Sequence, residues 1–257
     1  TALNNLAQAI FVPSNGVSAN GSTSAAPLGY TAEDAANKQN SLVVDGTAAK
    51  YPTVDAVNAV IKGPYNGQTF GVLGDSFAEL NIYQPDLLSR LGIISTTSGI
   101  GGSCITGGTG NAQGDGVNRV PFVDRIVAML ANSITGIIVQ GGSNDFHYNI
   151  ALGTFGSTST TDFYGALNFI CDKIANRSTK IKAVFITPTF RGDSQFPSGT
   201  SGLANFEAMK PYVNAIKLVC AKYSIQVVDQ FYSGINFYNT GVYTTDGVHP
   251  NNAAGKE

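Results

Sequence analysis

Histidine is scarce in this chain: it occurs twice in 257 residues, as His147 and His249. Any proton transfer near neutral pH that calls on an imidazole has only those two candidates. Charge is sparse as well. Charged residues make up 12% of the sequence, the formal net charge is −2, and no cluster of Lys and Arg stands anywhere along it. Such a chain lacks the cations that displace counterions from a phosphate backbone, which argues against nucleic acid as a partner. No apolar run approaches the roughly 18 residues needed to span a bilayer. Residues 1–10 have neither the basic start nor the apolar stretch of a secretory leader. The expectation is a soluble chain with no membrane partner. Cysteine is limited to Cys104, Cys171 and Cys220, an odd number without paired spacing, so neither a disulfide framework nor a zinc site is written here. All three read as buried free thiols. Cys104 stands beside a glycine-rich turn, but nothing near it in sequence would lower its pKa, and it reads as a small apolar filler rather than a nucleophile.

What the sequence does hold is enough apolar content, 43%, to fill a sizeable core. Its length suits one substantial α/β domain with a smaller appendage. Residues 1–63 are rich in Ala, Asn, Ser and Thr and show no alternation of strand and helix patterns; only 54–61 suggests a short helix. Gly63-Pro64-Tyr65-Asn66-Gly67 is a turn-rich junction, and it places the boundary between an N-terminal segment, 1–63, and a main domain, 64–257. Beyond the junction, apolar runs at 69–73, 93–97, 134–140, 182–187 and 226–229 read as strands. Amphipathic stretches at 78–90, 120–132, 161–177 and 203–223 read as helices. Uninterrupted apolar strands alternating with helices predict a parallel sheet covered on both faces. Pro250 and the residues after it read as the start of a closing helix, with Asn251 or Asn252 as its cap, that runs past the end of the sequence.

The chemistry gathers at strand ends. Phe70-Gly71-Val72-Leu73 empties into Gly74-Asp75-Ser76-Phe77, an apolar run leading to a tight turn that presents a hydroxyl. Gly141-Gly142-Ser143-Asn144-Asp145 follows a second apolar run, and Asp246-Gly247-Val248-His249-Pro250 lies far downstream. A serine that attacks a carbonyl must lose its proton, and a neutral imidazole can accept it near pH 7. His249 is the natural base, because an Asp-x-x-His spacing lets Asp246 reach the imidazole and fix its tautomer. His147 follows Asn144-Asp145-Phe146 without that arrangement, and is either a solvated loop residue or a wall of a substrate cleft. Asp75 reads as a residue that shapes the turn through side-chain-to-backbone hydrogen bonds, and Asp145 as one that fixes the Asn144 loop. Arg191, after Pro188-Thr189-Phe190, either holds a polar substrate or pairs with Asp193. The residues form no metal-ligand spacing, and the chemistry requires no cofactor.

Gly74-Asp75-Ser76-Phe77, Gly99-Ile100-Gly101-Gly102-Ser103, Gly142-Ser143-Asn144-Asp145 and Asp246-Gly247-Val248-His249-Pro250 stand in the order and spacing of the SGNH, or GDSL, hydrolases, a family this chain resembles over about residues 68–257. The resemblance implies a flavodoxin-like three-layer α/β/α sandwich around a parallel sheet. It also implies site roles: Ser76 as nucleophile and first oxyanion donor, Gly102 and Asn144 as second and third donors, His249 as base and Asp246 as its orienting acid. Gly101 adjoins Gly102, and the asparagine usual upstream of this glycine is absent, Thr97 or Ser98 standing in its neighbourhood. The implied activity is removal of small acyl groups, foremost O-acetyl, from a carbohydrate such as a bacterial surface polysaccharide. The polar loops at 107–118 and 155–161 suit a sugar better than a lipid chain. Rival readings are a lipase or thioesterase for lipophilic acyl chains, and a non-catalytic receptor-binding module on a hydrolase scaffold.

Ala35-Ala36-Asn37-Lys38-Gln39-Asn40-Ser41 and Tyr51-Pro52-Thr53-Val54-Asp55-Ala56-Val57 resemble short segments recurring in tail-fibre and other virion proteins of bacteriophages and prophages. That resemblance implies a hydrolase carried on a virion, or otherwise extracellular, and a homotrimeric assembly.

Overall fold

A computed structural model describes residues 38–39, 51–52, 63–110, 114–192 and 203–251. The chain divides into two compact units, 1–61 and 62–257. In the first, the described residues are two short strands, β1 (Lys38–Gln39) and β2 (Tyr51–Pro52), paired in parallel. The helix expected at 54–61 lies outside the described residues, as does most of the segment that resembles virion proteins.

The second unit is built on five strands: β3 (Thr69–Gly74), β4 (Ile94–Gly99), β5 (Gly136–Gln140), β6 (Lys182–Ile186) and β7 (Gln226–Val228). Their order across the sheet is β4-β3-β5-β6-β7, and every pairing is parallel. Burial explains their composition. The central β5, Gly-Ile-Ile-Val-Gln, is buried at every position and is apolar up to its carboxyl end, where the buried Gln140 stands. The edge strand β4, Ile-Ser-Thr-Thr-Ser-Gly, has no fully buried residue and is mostly polar. Alternate side chains divide between two cores. Leu73, Ile137, Val139 and Phe185 point to the larger one, against α3 (Phe122–Ala131), α5 (Phe163–Ala175) and α6 (Leu203–Lys222). Phe70, Val72, Ile138 and Ile186 point to the smaller one, with Ala78 of α1 (Ser76–Glu79) and Leu87 of α2 (Gln84–Leu91). The result is a three-layer α/β/α sandwich with the strand order of flavodoxin-like folds. Among the described residues no helix is long and apolar enough to cross a membrane.

One predicted helix is two. The apolar spacing across 78–90 suggests a single element, whereas the chain breaks between α1 and α2: Asn81 takes a left-handed conformation with φ 56°. Pro85 explains the interruption, since it has no N–H to offer an upstream carbonyl. It falls in the first turn of α2, where that N–H is not needed. The Gln84 side chain donates through Nε2 to Ala78 O at 2.7 Å, replacing part of the lost ladder. The closing helix expected after Pro250 lies outside the described residues beyond Asn251.

In a sheet with this order the chain reverses its direction of winding between β3 and β5, and the crevice at their carboxyl ends is the natural place for a ligand. Ser76 follows β3, and α4 (Ser143–His147) follows β5. The topology alone therefore brings the serine turn and the Asn144 loop to one crevice.

Candidate active site

The serine turn is built by its neighbours. β3 ends at Gly74, and the carboxylate of the buried Asp75 accepts the Phe77 N–H at 3.1 Å, capping α1 and turning Ser76 out of the strand direction. Burial pushes the Asp75 carboxyl up to about 6, against the lowering effects of the Phe77 amide and of His249. Asp75 is thus the turn-shaping residue its position suggests.

The C-terminal loop carries the imidazole. Thr245 N–H donates to His249 O at 2.8 Å and Asn251 N–H to Tyr243 O at 3.0 Å, closing residues 243–251 on themselves. Inside that loop Asp246 Oδ1 accepts the N–H groups of Val248 at 3.0 Å and His249 at 2.8 Å, while Oδ2 lies 2.7 Å from His249 Nδ1. His249 Nε2 in turn lies 2.7 Å from Ser76 Oγ. The consistent proton assignment has Nδ1 donating to the carboxylate and Nε2 accepting from the serine hydroxyl. Partial burial opposes ionisation of Asp246, but the amide and ring of His249 and the amide of Val248 outweigh it and hold the carboxyl below its ordinary range.

Three residues with N–H groups to offer, Ser76, Gly102 and Asn144, line one cleft. The Ser76 N–H opens α1 with no acceptor among the described residues. The glycine turn after β4 supplies the second, and here the structure distinguishes two adjacent amides. Gly101 N–H donates to Glu79 Oε2 at 2.9 Å, whereas Gly102 N–H has no acceptor among the described residues. Gly102 also adopts φ 74°, a left-handed backbone that suits glycine. Two residues before this Gly101-Gly102 pair, Gly99 lets the turn close on α1: a Cβ there would stand 2.2 Å from the backbone N of Glu79. The third donor is the Asn144 amide. One of its hydrogens goes to Ser103 O at 3.0 Å, leaving the other for a ligand.

Asp145 locks the last two donors together. Its fully buried carboxylate accepts from Ile105 N–H at 2.9 Å and from Thr106 N–H at 3.0 Å and its hydroxyl at 2.5 Å. Burial raises its pKa, and these three bonds oppose the rise. The expectation that Asp145 fixes the Asn144 loop thus acquires a partner, the segment just after the glycine turn.

The site opens into a cleft of about 480 Å³ that Ser76, Gly102, Asn144, His147, Tyr148 and Arg191 help to line. His147 is therefore a cleft wall rather than a solvated loop residue. Arg191 is buried and places Nη1 3.4 Å from both Ser143 Oγ and Asn144 Oδ1. Its alternative partner, Asp193, lies outside the described residues. Cys104, Cys171 and Cys220 are all buried free thiols, and burial raises the Cys104 pKa far above neutrality. Among the described residues no His, Cys, Asp and Glu side chains gather as a metal site would require.

Two contributors escape a reading by motif. Glu79 settles which glycine amide stays open. Arg125 lies on α3, where it is buried on the same face as Phe122, Ile126 and Met129. A cation inside an apolar helical stripe was the signal available for it.

No protein-family model matches this chain, and no curated protein matches it either. Solved structures do. One is 26% identical, with 74% of this chain and 91% of its own covered at a TM-score of 0.62. A structure from Lactobacillus plantarum is 23% identical, with 73% and 90% covered at 0.60. A possible lipase from Chitinophaga pinensis is 19% identical, with 74% and 92% covered at 0.53. What these likenesses establish is the fold: the second unit is a parallel-sheet α/β/α sandwich of the kind that the possible lipase from Chitinophaga pinensis also adopts.

Proposed function

We propose that this chain is a serine ester hydrolase. Ser76 Oγ attacks the ester carbonyl carbon as His249 Nε2 takes its proton, and Asp246 stabilises the resulting imidazolium. Negative charge on the carbonyl oxygen is met by Ser76 N–H, Gly102 N–H and Asn144 Nδ2–H, donors already fixed in place before the reaction. Collapse of the tetrahedral species breaks the bond to the leaving oxygen, which takes the proton from His249. Water then attacks the acyl-serine, giving a proton to His249 in its turn, and the carboxylic acid leaves as Ser76 is regenerated. The observation that carries the reading is the pair of 2.7 Å contacts joining Ser76, His249 and Asp246 within the cleft. A fluorophosphonate probe tests it directly. Covalent labelling that is lost in Ser76→Ala supports the assignment; a folded wild-type protein that neither labels nor hydrolyses any ester would make the chain a scaffold without catalysis.

For the substrate, the reading is a small acyl group, foremost acetyl, on a carbohydrate. It is supported by the polar side chains of Asn144, His147, Tyr148 and Arg191 along the cleft, where a long acyl chain would require a broad apolar trough. Carriage on a virion is part of the same proposal and rests on the sequence of 35–57 alone. Acetate release from native polysaccharides, set against turnover of acetyl and long-chain p-nitrophenyl esters, separates this substrate from a lipophilic one.

A further inference from the structure

Arg125 is a costly residue for this position. Its side chain is buried, with Nη1 2.5 Å from Ser98 O and 3.1 Å from Ser98 Oγ, and Nη2 3.1 Å from Gly74 O and 2.9 Å from Ser103 Oγ. Every acceptor is neutral. No carboxylate pairs with the guanidinium among the described residues, and Nε–H has no acceptor there at all. Burial lowers its pKa to about 10. A buried cation bonded to no carboxylate, with only the charge of nearby Asp75 to oppose its burial and one N–H left unsatisfied, is weak ground for stability; an apolar side chain on α3 would avoid both penalties. The face of the Phe122 ring, 4.8 Å from the guanidinium, offsets only part of them.

The groups it holds share one location. Gly74 O belongs to the last residue of β3, two before Ser76. Ser98 lies at the end of β4, and Ser103 immediately follows Gly102. Ser103 is itself a junction: its Oγ donates to Ile100 O at 2.7 Å, its N–H to the same carbonyl at 3.1 Å, and its own carbonyl accepts from Asn144 Nδ2. A planar fork can bind all of these at once, which a point-like ammonium cannot.

We infer that Arg125 is a positioning residue that clamps the end of the nucleophile strand to the glycine turn, so that Ser76, Gly102 and Asn144 keep the spacing a developing oxyanion needs. This rests on the serine-hydrolase reading. A clamp of this kind acts where donor placement matters most, in the transition state, so its loss lowers kcat while KM changes little.

The test is kinetics of Arg125→Lys on a small acetyl ester, normalised to sites titrated to completion with the fluorophosphonate. The expected result is a fall in kcat of roughly 10-fold or more with KM within about threefold. Affinity for a boronic acid that mimics the tetrahedral species should weaken in parallel. Lysine keeps the charge, so a wild-type kcat per titrated site would overturn the inference, as would a change confined to melting temperature. If Arg125→Lys does not fold, Ser103→Ala decides: it removes the hydroxyl that Arg125 holds and leaves the guanidinium its other acceptors. A several-fold fall in kcat per site supports the clamp, and an unchanged kcat refutes it. Failure of the wild-type protein to label would instead strike the hydrolase reading itself.

Discussion

The fully buried Asp75 makes a prediction that separates the stability of the site from its chemistry. Its carboxyl is raised from an ordinary 3.8 to about 6, chiefly by burial. The folded protein therefore binds a proton there at pH values where the unfolded chain has released it, and stability falls as pH rises from about 4 through 6. A shift of about 2 units at roughly 1.4 kcal/mol each amounts to about 3 kcal/mol, fully felt above pH 7. Asp75→Asn removes the titration and keeps an oxygen to accept the Phe77 N–H, so the cap survives. The variant should gain on the wild type by about 3 kcal/mol between pH 4 and pH 8. In a unit of this size that corresponds to roughly 6–12 °C in Tm. Urea unfolding of both proteins at intervals of half a pH unit measures the gap, and taking the difference cancels groups common to both, including Asp246, whose lowered pKa acts with the opposite sign. A gap that stays constant across that range would refute the argument that burial keeps this carboxyl partly protonated.

The remaining predictions concern the proposed mechanism and the frame around it. Asn144→Ala should lower kcat by about 10²–10³ with a much smaller change in KM, since the donor it removes acts on charge present only in the transition state; steady-state kinetics on an acetyl ester checks this. Asp246→Asn should lower kcat/KM at least 10²-fold, because an amide can present its NH₂ to Nδ1 and favour the wrong tautomer, and the same assay measures it. In Asp145→Asn one carboxylate oxygen becomes an NH₂ facing the N–H of Ile105 or Thr106, so chemical denaturation should report a loss of about 1–3 kcal/mol. Its kcat should fall too as the Asn144 loop comes loose from the glycine turn. Deleting residues 1–61 should leave kcat on a small ester unchanged, as every proposed site residue belongs to the second unit; an inactive but folded truncation would show that the first unit helps to build the site.

The sheet could be read from the sequence because the central strands of a parallel sheet are buried on both faces, which makes runs such as 137–139 apolar at every position. Even β4, polar and at the edge, betrayed itself by the apolar Ile94 that opens it and Ile93 just before it. The misread element, 78–90, failed for a local reason. Leu80, Leu87 and Leu88 suggest one periodic stripe, but Leu80 and Leu88 are exposed, and Pro85 sets the break between α1 and α2.

In the site, what could be read and what could not divide by sequence distance. Ser76 with its capping Asp75, and Asp246 with His249, are contacts within one to three residues, so spacing alone announces them. The choice between Gly101 and Gly102 depends on Glu79, 22 residues from Gly101, and no property of the glycine turn itself decides it. Arg125 is further still from the strand end it holds, 51 residues from Gly74. Both contacts involve ionisable side chains whose partners are backbone groups, and a backbone amide or carbonyl has no signature in the sequence. A motif therefore names the atoms that react, while the groups that hold those atoms at working distance emerge only once the chain is folded. The one prior sign they leave is a charge placed where burial should forbid it, as Arg125 is among Phe122, Ile126 and Met129.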